Sequence, residues 1–255
     1  KSKYKNQFYL RHRAITSYSS KKIVELFPNF FKPESILDIG CGTGEWIKAF
    51  KDRYSSCEFS GIDGYWVKKD DLIYKEINFF NIDLKDQLSS EAFNKKYDLV
   101  CCLETITDLP ENRGKIIIKE ITKITKLCLF SSGTPVQNHG PHINIQWQSY
   151  WHNLFAQNGF IALDFIRPKT WDDPNVGPWY SQNCFLFVEK SWLKDNPRWQ
   201  NLVSNIKIPI DIVHPKLLPP SIKNISLKLL VKSIPIIFIN FFKRLILRIK
   251  KKQYR

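Results

Sequence analysis

Short apolar runs alternate with longer amphipathic stretches over most of the chain. Runs typical of buried strands cover Ser35–Ile39, Cys57–Ile62, Tyr74–Phe79, Tyr97–Leu103, Leu127–Ser131, 160–166 and 183–189. Helical spacing of apolar residues covers 11–31, Glu45–Arg53, Arg113–Thr125 and 147–158. Strands that alternate with helices favour a parallel sheet covered on both faces. The pattern therefore predicts a doubly wound α/β fold with a mostly parallel, seven-stranded sheet.

Two stretches and the C-terminal part depart from this alternation. Residues 132–146 and 167–182 are polar and rich in aromatic residues, and they predict long loops of the kind that usually carries function. Beyond Glu189 the pattern loosens into a proline-punctuated connector. We therefore expect a basic segment and helix at 1–34, an α/β domain at 35–190, and a connector with basic amphipathic helices at 191–255.

The charge of the chain is concentrated at its two ends. The formal net charge is +15, but residues 1–22 carry seven Lys/Arg and residues 212–255 carry eleven, both without an acid. The segment between them is left with 39 − 18 = 21 basic residues against 24 acidic ones, a net charge of −3. The 43% hydrophobic content excludes wholesale disorder. Six cysteines without CxxC spacing predict reduced, buried thiols rather than a zinc site.

A glycine-rich turn follows the first predicted strand. Asp38-Ile39-Gly40-Cys41-Gly42-Thr43-Gly44 leads from the strand into a helix, and glycines at these positions let the backbone approach a ligand closely. The mouth of the first strand is where doubly wound sheets bind nucleotides. The GxGxG spacing differs from the GxGxxG of dinucleotide-binding loops and from the GK[ST] ending of P-loops.

This DxGxGxG motif resembles motif I of class I S-adenosylmethionine-dependent methyltransferases, which have a Rossmann-like fold. Acidic residues follow the next strands at family-like spacing: Asp63 after the second, Asp83 after the third and Glu104 after the fourth. The resemblance implies S-adenosyl-L-methionine as cofactor. It implies cofactor contacts from Asp38, Gly40, Cys41, Gly42, Gly44, Asp63, Gly64, Asp83, Leu84, Leu103 and Glu104.

A second signature follows the fifth strand. His142-Ile143-Asn144-Ile145-Gln146-Trp147 precedes Ser149-Tyr150-Trp151, and Trp179-Tyr180 and Gln182-Asn183 come later. This pattern resembles methyltransferases of surface-polysaccharide and glycan modification, over about residues 35–190. Indole faces stack on sugar C–H surfaces and amides pair with hydroxyls. The candidate acceptor-binding residues are His139, Asn144, Gln146, Trp147, Tyr150, Trp179, Tyr180 and Gln182. The alternative for the aromatic residues of 147–158, above all Trp151, is the buried face of a helix.

Transfer to a hydroxyl group requires a general base. His142 is the first candidate because it lies in the loop after the fifth strand, with a structural loop histidine as the alternative, and His139 competes with it. Asp108 is the second catalytic candidate, as base or orienter, and Glu104 could share that role. The group named above usually has a Glu-His pair before Leu-Pro, whereas Thr107-Asp108 stand there in this chain. Carboxylates of this kind could hold a divalent metal, but no ligand spacing indicates one.

The C-terminal segment combines apolar and basic faces. Leu227, Leu230, Val231 and Ile234, and then Phe242, Leu245, Ile246 and Ile249, recur at helical spacing. Lys243, Arg244, Arg248, Lys250 and Lys251 fall on the opposite arc. The longest uncharged run, Ser233–Phe242, is too short to span a bilayer. The segment predicts contact with an anionic membrane surface, and docking on the protein or on a partner is the alternative. Nucleic-acid binding is not favoured.

The sequence thus leads to one main hypothesis and two alternatives. The main one is methylation of a sugar hydroxyl on a glycan or lipid-linked saccharide. The alternatives are an RNA or protein methyltransferase and an inactive scaffold with a methyltransferase fold. A polar, basic N-terminus without an apolar h-region predicts no signal peptide, and hence a cytoplasmic protein that contacts the membrane peripherally.

Overall fold

A computed structural model describes residues 6–86, 91–137, 142–202 and 208–218, with side chains from residue 13 onward. The strands are β1 (Ser35–Ile39), β2 (Glu58–Asp63), β3 (Asn78–Asn81), β4 (Leu99–Leu103), β5 (Leu127–Ser131), β6 (Phe160–Leu163) and β7 (Phe185–Glu189). The helices within these ranges are α1 (Asn6–Glu25), α2 (Glu45–Arg53), α3 (Glu111–Ile124), α4 (Gln148–Gln157), α5 (Arg167–Thr170), α6 (Pro178–Asn183) and α7 (Lys190–Asp195).

The seven strands form one sheet in the order β3-β2-β1-β4-β5-β7-β6. The first five strands are parallel, and β7 runs antiparallel to both β5 and β6. The order reverses between β1 and β4, which are neighbours in the sheet although two strands separate them in the chain. The predicted fold class is confirmed. Ligands of such sheets bind at the carboxyl ends of the strands beside this reversal.

Apolar residues pack on both faces of the sheet. One buried cluster joins α1 and α2 to the sheet through Ile23, Phe27 and Phe50. The other joins α3 and α4 to the opposite face through Ile117, Ile121 and Phe155. The two layers explain why β4 and β5 are buried at every position and read as continuous apolar runs. All six cysteines are free and buried, as predicted.

The structure shifts several predicted boundaries. The predicted loop at 167–182 contains α5 and most of α6, two short helices that each begin with proline in the first turn. The third strand lies at Asn78–Asn81 rather than Tyr74–Phe79. The first helix ends at Glu25, before Pro28. Periodicity misplaces β3, α5 and α6 because these elements have only four to six residues.

The compact unit that contains the sheet extends to Leu217. Residues 191–202 and 208–217, the described part of the stretch assigned to the connector and helices at 191–255, lie in this unit. Most of the remaining unit, from Leu218 to Arg255, lies outside the described residues, as do the predicted basic helices. Within the described ranges, every helix is too short or too polar to traverse a bilayer.

Candidate active site

The glycine loop connects the carboxyl end of β1 to the start of α2. Gly40, Gly42 and Gly44 all have positive φ angles, of 76°, 54° and 87°. The backbone N–H groups of Gly40 and Cys41 donate to the carbonyl of Ile62, at 2.8 and 3.0 Å. The left-handed conformation that glycine tolerates thus folds the loop back onto β2.

Gly40 also packs directly against Thr105, which follows β4. A Cβ atom at Gly40 would overlap the Thr105 side chain. The Thr105 hydroxyl lies 3.1 Å from the carbonyl oxygens of both Ile39 and Leu103, and so bridges the ends of β1 and β4. No local sequence pattern points to Thr105. Its role depends on the contact between two strand ends that are 66 residues apart in the chain.

Asp63 ends β2, and one of its carboxylate oxygens holds the glycine loop. Oδ2 accepts from the Gly42 N–H at 2.8 Å and Oδ1 accepts from the Gly64 N–H at 2.7 Å. Burial raises the pKa of Asp63 to about 6, although these backbone hydrogen bonds favour the charged form. Asp63 therefore stabilises the conformation of the glycine loop. It also lies where the family resemblance places a cofactor contact.

Two further buried carboxylates face the same edge of the sheet. Burial, followed by the charges of Asp63 and Glu45, raises the pKa of Asp38 to about 8. Burial also raises the pKa of Glu104 to about 7, while Ser131, Asn183 and His142 favour its charged form. Asp38 Oδ2 and Glu104 Oε1 are buried without a hydrogen-bond partner among the described residues. Glu104 also has a φ of +54°, a strained conformation for a residue other than glycine.

The other predicted cofactor residues lie around this edge. Asp83 Oδ1 accepts from the Lys85 N–H at 3.0 Å in a turn after β3. Leu84 is buried, and its carbonyl oxygen accepts from Arg113. Leu103 ends β4 and is buried. Cys41 is buried as well, and burial raises the pKa of its thiol, so it is an uncharged part of the loop.

His142 and Asp108 meet in the structure. His142 Nδ1 lies 2.9 Å from Asp108 Oδ1, and both side chains are partly exposed. Asp108 belongs to a short turn after β4, and His142 to the loop after β5. The N–H groups of Ile143 and Asn144 both donate to the carbonyl of Thr107 at 3.0 Å. The loop with the histidine is thereby tied to the turn with the carboxylate.

The predicted acceptor-binding residues separate into exposed and buried groups. Trp147 is 41% exposed, and Gln146 and Trp179 are partly buried. Tyr150 is partly buried, and its hydroxyl donates to Glu111 at 3.0 Å. Asn144, Tyr180 and Gln182 are buried. Trp151, whose alternative was core packing, is buried against Phe130. His139 lies outside the described residues.

A buried amide cluster explains the burial of Gln182. Gln137 Oε1 accepts from Thr134, Gln182 and Asn183, at distances between 2.8 and 3.3 Å. Gln182 also donates to Asn183 Oδ1 at 2.8 Å. The Oε1 atom of Gln182 accepts from the backbone N–H of His214 at 2.6 Å. In the structure Gln182 thus links the cluster to residues near the end of the compact unit.

Residues 208–217, which we call the C-terminal strap, lie across α4, α5 and α6. Arg167 is buried and donates to the carbonyl oxygens of Ile208, Pro209 and Ile210. Asp211 Oδ1 accepts from the N–H of Ser149 in the first turn of α4 at 2.7 Å. The strap could not be predicted from the sequence, because it has no periodicity and its partners lie about 30 to 65 residues away in the chain.

The geometry thus brings a glycine cradle, three buried carboxylates and a His–Asp pair to one edge of the sheet. No group of three or more potential metal ligands occurs in the part of the chain that the structure describes. Such an edge can hold a nucleoside-containing ligand on the glycine side and place a base on the β5 side.

Comparisons with solved structures agree with this fold at low sequence identity. Human N-acetylserotonin methyltransferase in complex with SAM matches with a TM-score of 0.50 and 16% identity, over 72% of this chain and 55% of that enzyme. Magnesium protoporphyrin IX methyltransferase from Synechocystis PCC 6803, also with bound SAM, matches with a TM-score of 0.51 and 15% identity, over 74% of this chain and 86% of that enzyme. The plantazolicin methyltransferase BpumL, in complex with SAH, matches with a TM-score of 0.51 and 16% identity, over 72% of this chain and 88% of that enzyme.

Sequence comparison identifies the family. The chain spans just over half of the human enzyme, and no curated protein sequence matches it. A family model described as a methyltransferase domain matches residues 9–164, which is more than half of the chain. The match begins in α1, includes every strand from β1 to β6, and covers the glycine loop and the His–Asp pair. This chain therefore belongs to the methyltransferase domain family and has its Rossmann-like fold.

Proposed function

We propose that the protein transfers a methyl group from S-adenosyl-L-methionine to a hydroxyl group of a saccharide. The observation that carries this proposal is the 2.9 Å contact between His142 and Asp108, beside the edge of the sheet that carries the glycine loop. A hydroxyl is a weak acid, so its methylation benefits from a positioned base, whereas a thiolate or amine acceptor needs one less.

The residues present fit the cofactor. A Cβ at Gly44 would meet no atom within 4 Å, so the end of the loop is open to a ligand, and Asp38 Oδ2 and Glu104 Oε1 are buried without a partner among the described residues. Asp63 ends β2 and Asp83 lies in the turn after β3, where the family resemblance places contacts to the nucleoside. When bound, S-adenosyl-L-methionine supplies an electrophilic methyl group on a positively charged sulfur. Buried carboxylates suit a cofactor with this charge.

His142 is the proposed base and Asp108 its orienting partner. If Nδ1–H donates to Asp108, the lone pair of Nε2 is free to accept the hydroxyl proton, and Asp108 stabilises the imidazolium that results. Thr107 contributes by binding the backbone next to His142. The acceptor oxygen gains nucleophilicity as its proton moves to Nε2, and the base returns that proton to solvent after transfer.

The residues around this pair support a saccharide as acceptor. Trp147 and Ile143 are exposed, at 41% and 60%, on the same loop as His142, and Gln146 is partly exposed beside them. An exposed indole next to a side-chain amide is the combination that stacks on a sugar ring and pairs with its hydroxyls. Asn144, Tyr180 and Gln182 are buried, so their side chains are not exposed to contact an acceptor in this structure.

A methyl-transfer screen against a saccharide panel tests the acceptor, with mass spectrometry to locate the methyl group. The panel should include RNA and protein acceptors, and transfer to these alone would contradict the saccharide assignment. His142→Ala should lower turnover by about 10²–10⁴-fold, because the base is lost. Its affinity for S-adenosylhomocysteine by calorimetry should stay unchanged. Turnover equal to that of the wild type would exclude His142 as the base.

The C-terminal basic segment is proposed to bring this site to an anionic membrane surface. The support is the sequence pattern of residues 226–251, since the structure does not describe them. A peripheral location would suit a lipid-linked saccharide as acceptor.

A further inference from the structure

Asn183, the last residue of α6, contacts both ends of the segment that carries His142. This segment, residues 138–147, runs from the short turn after β5 to the start of α4, and we call it the His142 loop. Before the loop, Asn183 Nδ2 donates to Gln137 Oε1 at 2.8 Å. After the loop, Asn183 Oδ1 accepts from Gln148 Nε2 at 3.3 Å. One side chain thus joins the two residues that flank the loop.

The hydrogen bonds of Asn183 are made away from bulk water. Asn183, Gln148 and Gln182 are each at most 2% exposed. Gln182 donates to Asn183 Oδ1 at 2.8 Å, so this oxygen accepts two hydrogen bonds, one for each lone pair. Hydrogen bonds in a low-dielectric cluster are strong, and removal of one member leaves its partners unsatisfied. Loss of the Asn183 side chain would therefore affect both ends of the His142 loop together.

The C-terminal strap supports the same cluster. Gln148 Nε2 donates to the carbonyl oxygen of Ile212 at 2.9 Å as well as to Asn183. The backbone N–H of His214 donates to Gln182 Oε1 at 2.6 Å. The partners of Asn183 are therefore themselves bound to a separate element of the fold. This arrangement gives Asn183 a fixed position from which it can hold the loop.

The interior of the His142 loop contacts the turn that carries Asp108. The N–H groups of Ile143 and Asn144 donate to the carbonyl of Thr107 at 3.0 Å, and His142 Nδ1 lies 2.9 Å from Asp108 Oδ1. A displacement of about 1 Å can lower the rate of an enzymatic reaction about a hundredfold. A loop whose ends are released is therefore expected to place His142 less accurately.

We propose that Asn183 is a positioning residue, which links Gln137 to Gln148 and so keeps His142 beside Asp108. The importance of this position for a reaction rests on the proposed function, whereas the link between the loop ends does not. Asn183 is buried, so its effect on the reaction is exerted through His142 rather than by contact with the acceptor.

Amide hydrogen exchange of the full chain, measured by NMR, tests the link without any reaction. Asn183→Ala should speed the exchange of the Ile143 and Asn144 amides by about tenfold, the effect of losing roughly one hydrogen bond. Ser181→Ala is the matched control, because Ser181 is buried on the same helix and donates to the carbonyl of Thr170 instead of to the cluster. Exchange at Ile143 and Asn144 that is equally slow in both variants would overturn the proposal.

A second variant removes the same hydrogen bond from its other partner. Gln137 is partly exposed, so Gln137→Met keeps a side chain of similar size at a tolerant position but removes the acceptor of Asn183 Nδ2. We expect the same acceleration of exchange at Ile143 and Asn144, and this variant decides if Asn183→Ala does not fold. Exchange as slow as in the wild type would contradict the link.

Methyl-transfer kinetics test whether Asn183 acts through His142. Asn183→Ala should lower kcat by about 10- to 100-fold, with the affinity for S-adenosylhomocysteine changed less than about threefold. Asn183 is also among the groups that favour the charged form of Glu104, and action through Glu104 would instead weaken this binding.

In the His142→Ala background, Asn183→Ala should lower kcat hardly further, because the base that it positions is already absent. An undiminished effect in that background, or a wild-type kcat for Asn183→Ala, would overturn the positioning role. If the wild type methylates no acceptor, the proposed function fails, and hydrogen exchange still decides whether Asn183 holds the loop.

Discussion

Asp38, Asp63 and Glu104 are carboxyl groups whose pKa values are raised above their ordinary values by burial. The pKa values rise to about 8, 6 and 7. A fold tolerates such groups most easily when they are protonated, or when a positive ligand compensates their charge. In the proposed enzyme, the cofactor carries that positive charge. The same three residues therefore affect both the free energy of unfolding and the affinity for the cofactor.

This arrangement predicts that the cofactor-free protein loses stability as pH rises from about 4 to about 8. Each folded-state pKa lies above the unfolded value. The stabilising contribution is therefore fully present below the unfolded pKa and is lost as pH rises through the folded one. Urea unfolding across this range measures the effect. Asp38→Asn should make the dependence shallower, because it removes the group with the largest of the three shifts.

Asp195→Asn is the control for this measurement. Asp195 is exposed at the end of α7, so its replacement should leave the slope unchanged. A free energy of unfolding that is flat or rises over this range would contradict the assignment of raised pKa values to the three carboxyl groups.

The glycine loop allows a prediction at single residues. Gly44 and Gly159 have φ angles of 87° and 83°, and a Cβ at either would meet no atom within 4 Å. Alanine at each should lower the free energy of unfolding by about 1–2 kcal/mol, the cost of a left-handed conformation. Gly40→Ala adds an overlap with Thr105, which should destabilise by a further ~1–3 kcal/mol.

Denaturant unfolding of the three alanine variants measures this difference. Equal losses at Gly40, Gly44 and Gly159 would mean that Thr105 moves aside freely and that the close approach of β1 and β4 is not required. Gly40→Ala should also weaken S-adenosylhomocysteine binding, which Gly159→Ala, remote in sequence from the loop, should not.

Helix α4 depends on a residue far away in the chain for its N-terminal cap. Its own N-cap residue, Trp147, offers no side-chain hydrogen bond, whereas Asp211 of the C-terminal strap accepts from Ser149 N–H. Asp211→Ala should therefore lower the free energy of unfolding by about 0.5–2 kcal/mol. Asp211→Asn should retain much of the stability, since its amide oxygen can still accept. Urea unfolding, with Asp195→Ala as control, measures the loss.

Equal stability of Asp211→Ala and Asp195→Ala would show that the Asp211 carboxylate contributes nothing to the stability of α4. A loss of stability in Asp211→Ala would show that the residues before the basic tail are part of the folded unit. Because α4 begins directly after Trp147, the same contact helps to fix the loop with the proposed base.

Elements with a strong local pattern could be predicted from the sequence, and elements fixed by distant contacts could not. The buried strands β4 and β5 and the amphipathic helix α3 follow from periodicity alone, as does the glycine turn after β1. His142 and Asp108 could each be predicted as a candidate, but their contact could not, because they lie 34 residues apart in the chain. Gln182 was chosen for its chemistry, but its burial depends on His214, 32 residues later.

At the scale of the whole molecule, charge and catalysis are assigned to different parts of the chain. The segment 23–211 has a net charge of −3 and contains every residue of the candidate site. The basic excess lies in residues 1–22 and 212–255. A site built from buried carboxylates suits a cationic cofactor, whereas the terminal charge suits an anionic surface. The formal net charge of +15 therefore describes neither the segment 23–211 nor the terminal segments.

The last prediction concerns that terminal charge. Five basic residues of the tail should be replaced by glutamine in the full chain: Lys243, Arg244, Arg248, Lys250 and Lys251. Each contributes about 1 kcal/mol near an anionic surface, so flotation with phosphatidylserine vesicles should show a loss of affinity of about a thousandfold or more. The control replaces five exposed lysines of the body: Lys68, Lys69, Lys75, Lys96 and Lys119. If both variants float equally well, the tail does not carry membrane contact. Binding of the wild type to uncharged vesicles would instead assign it to the apolar face of the tail.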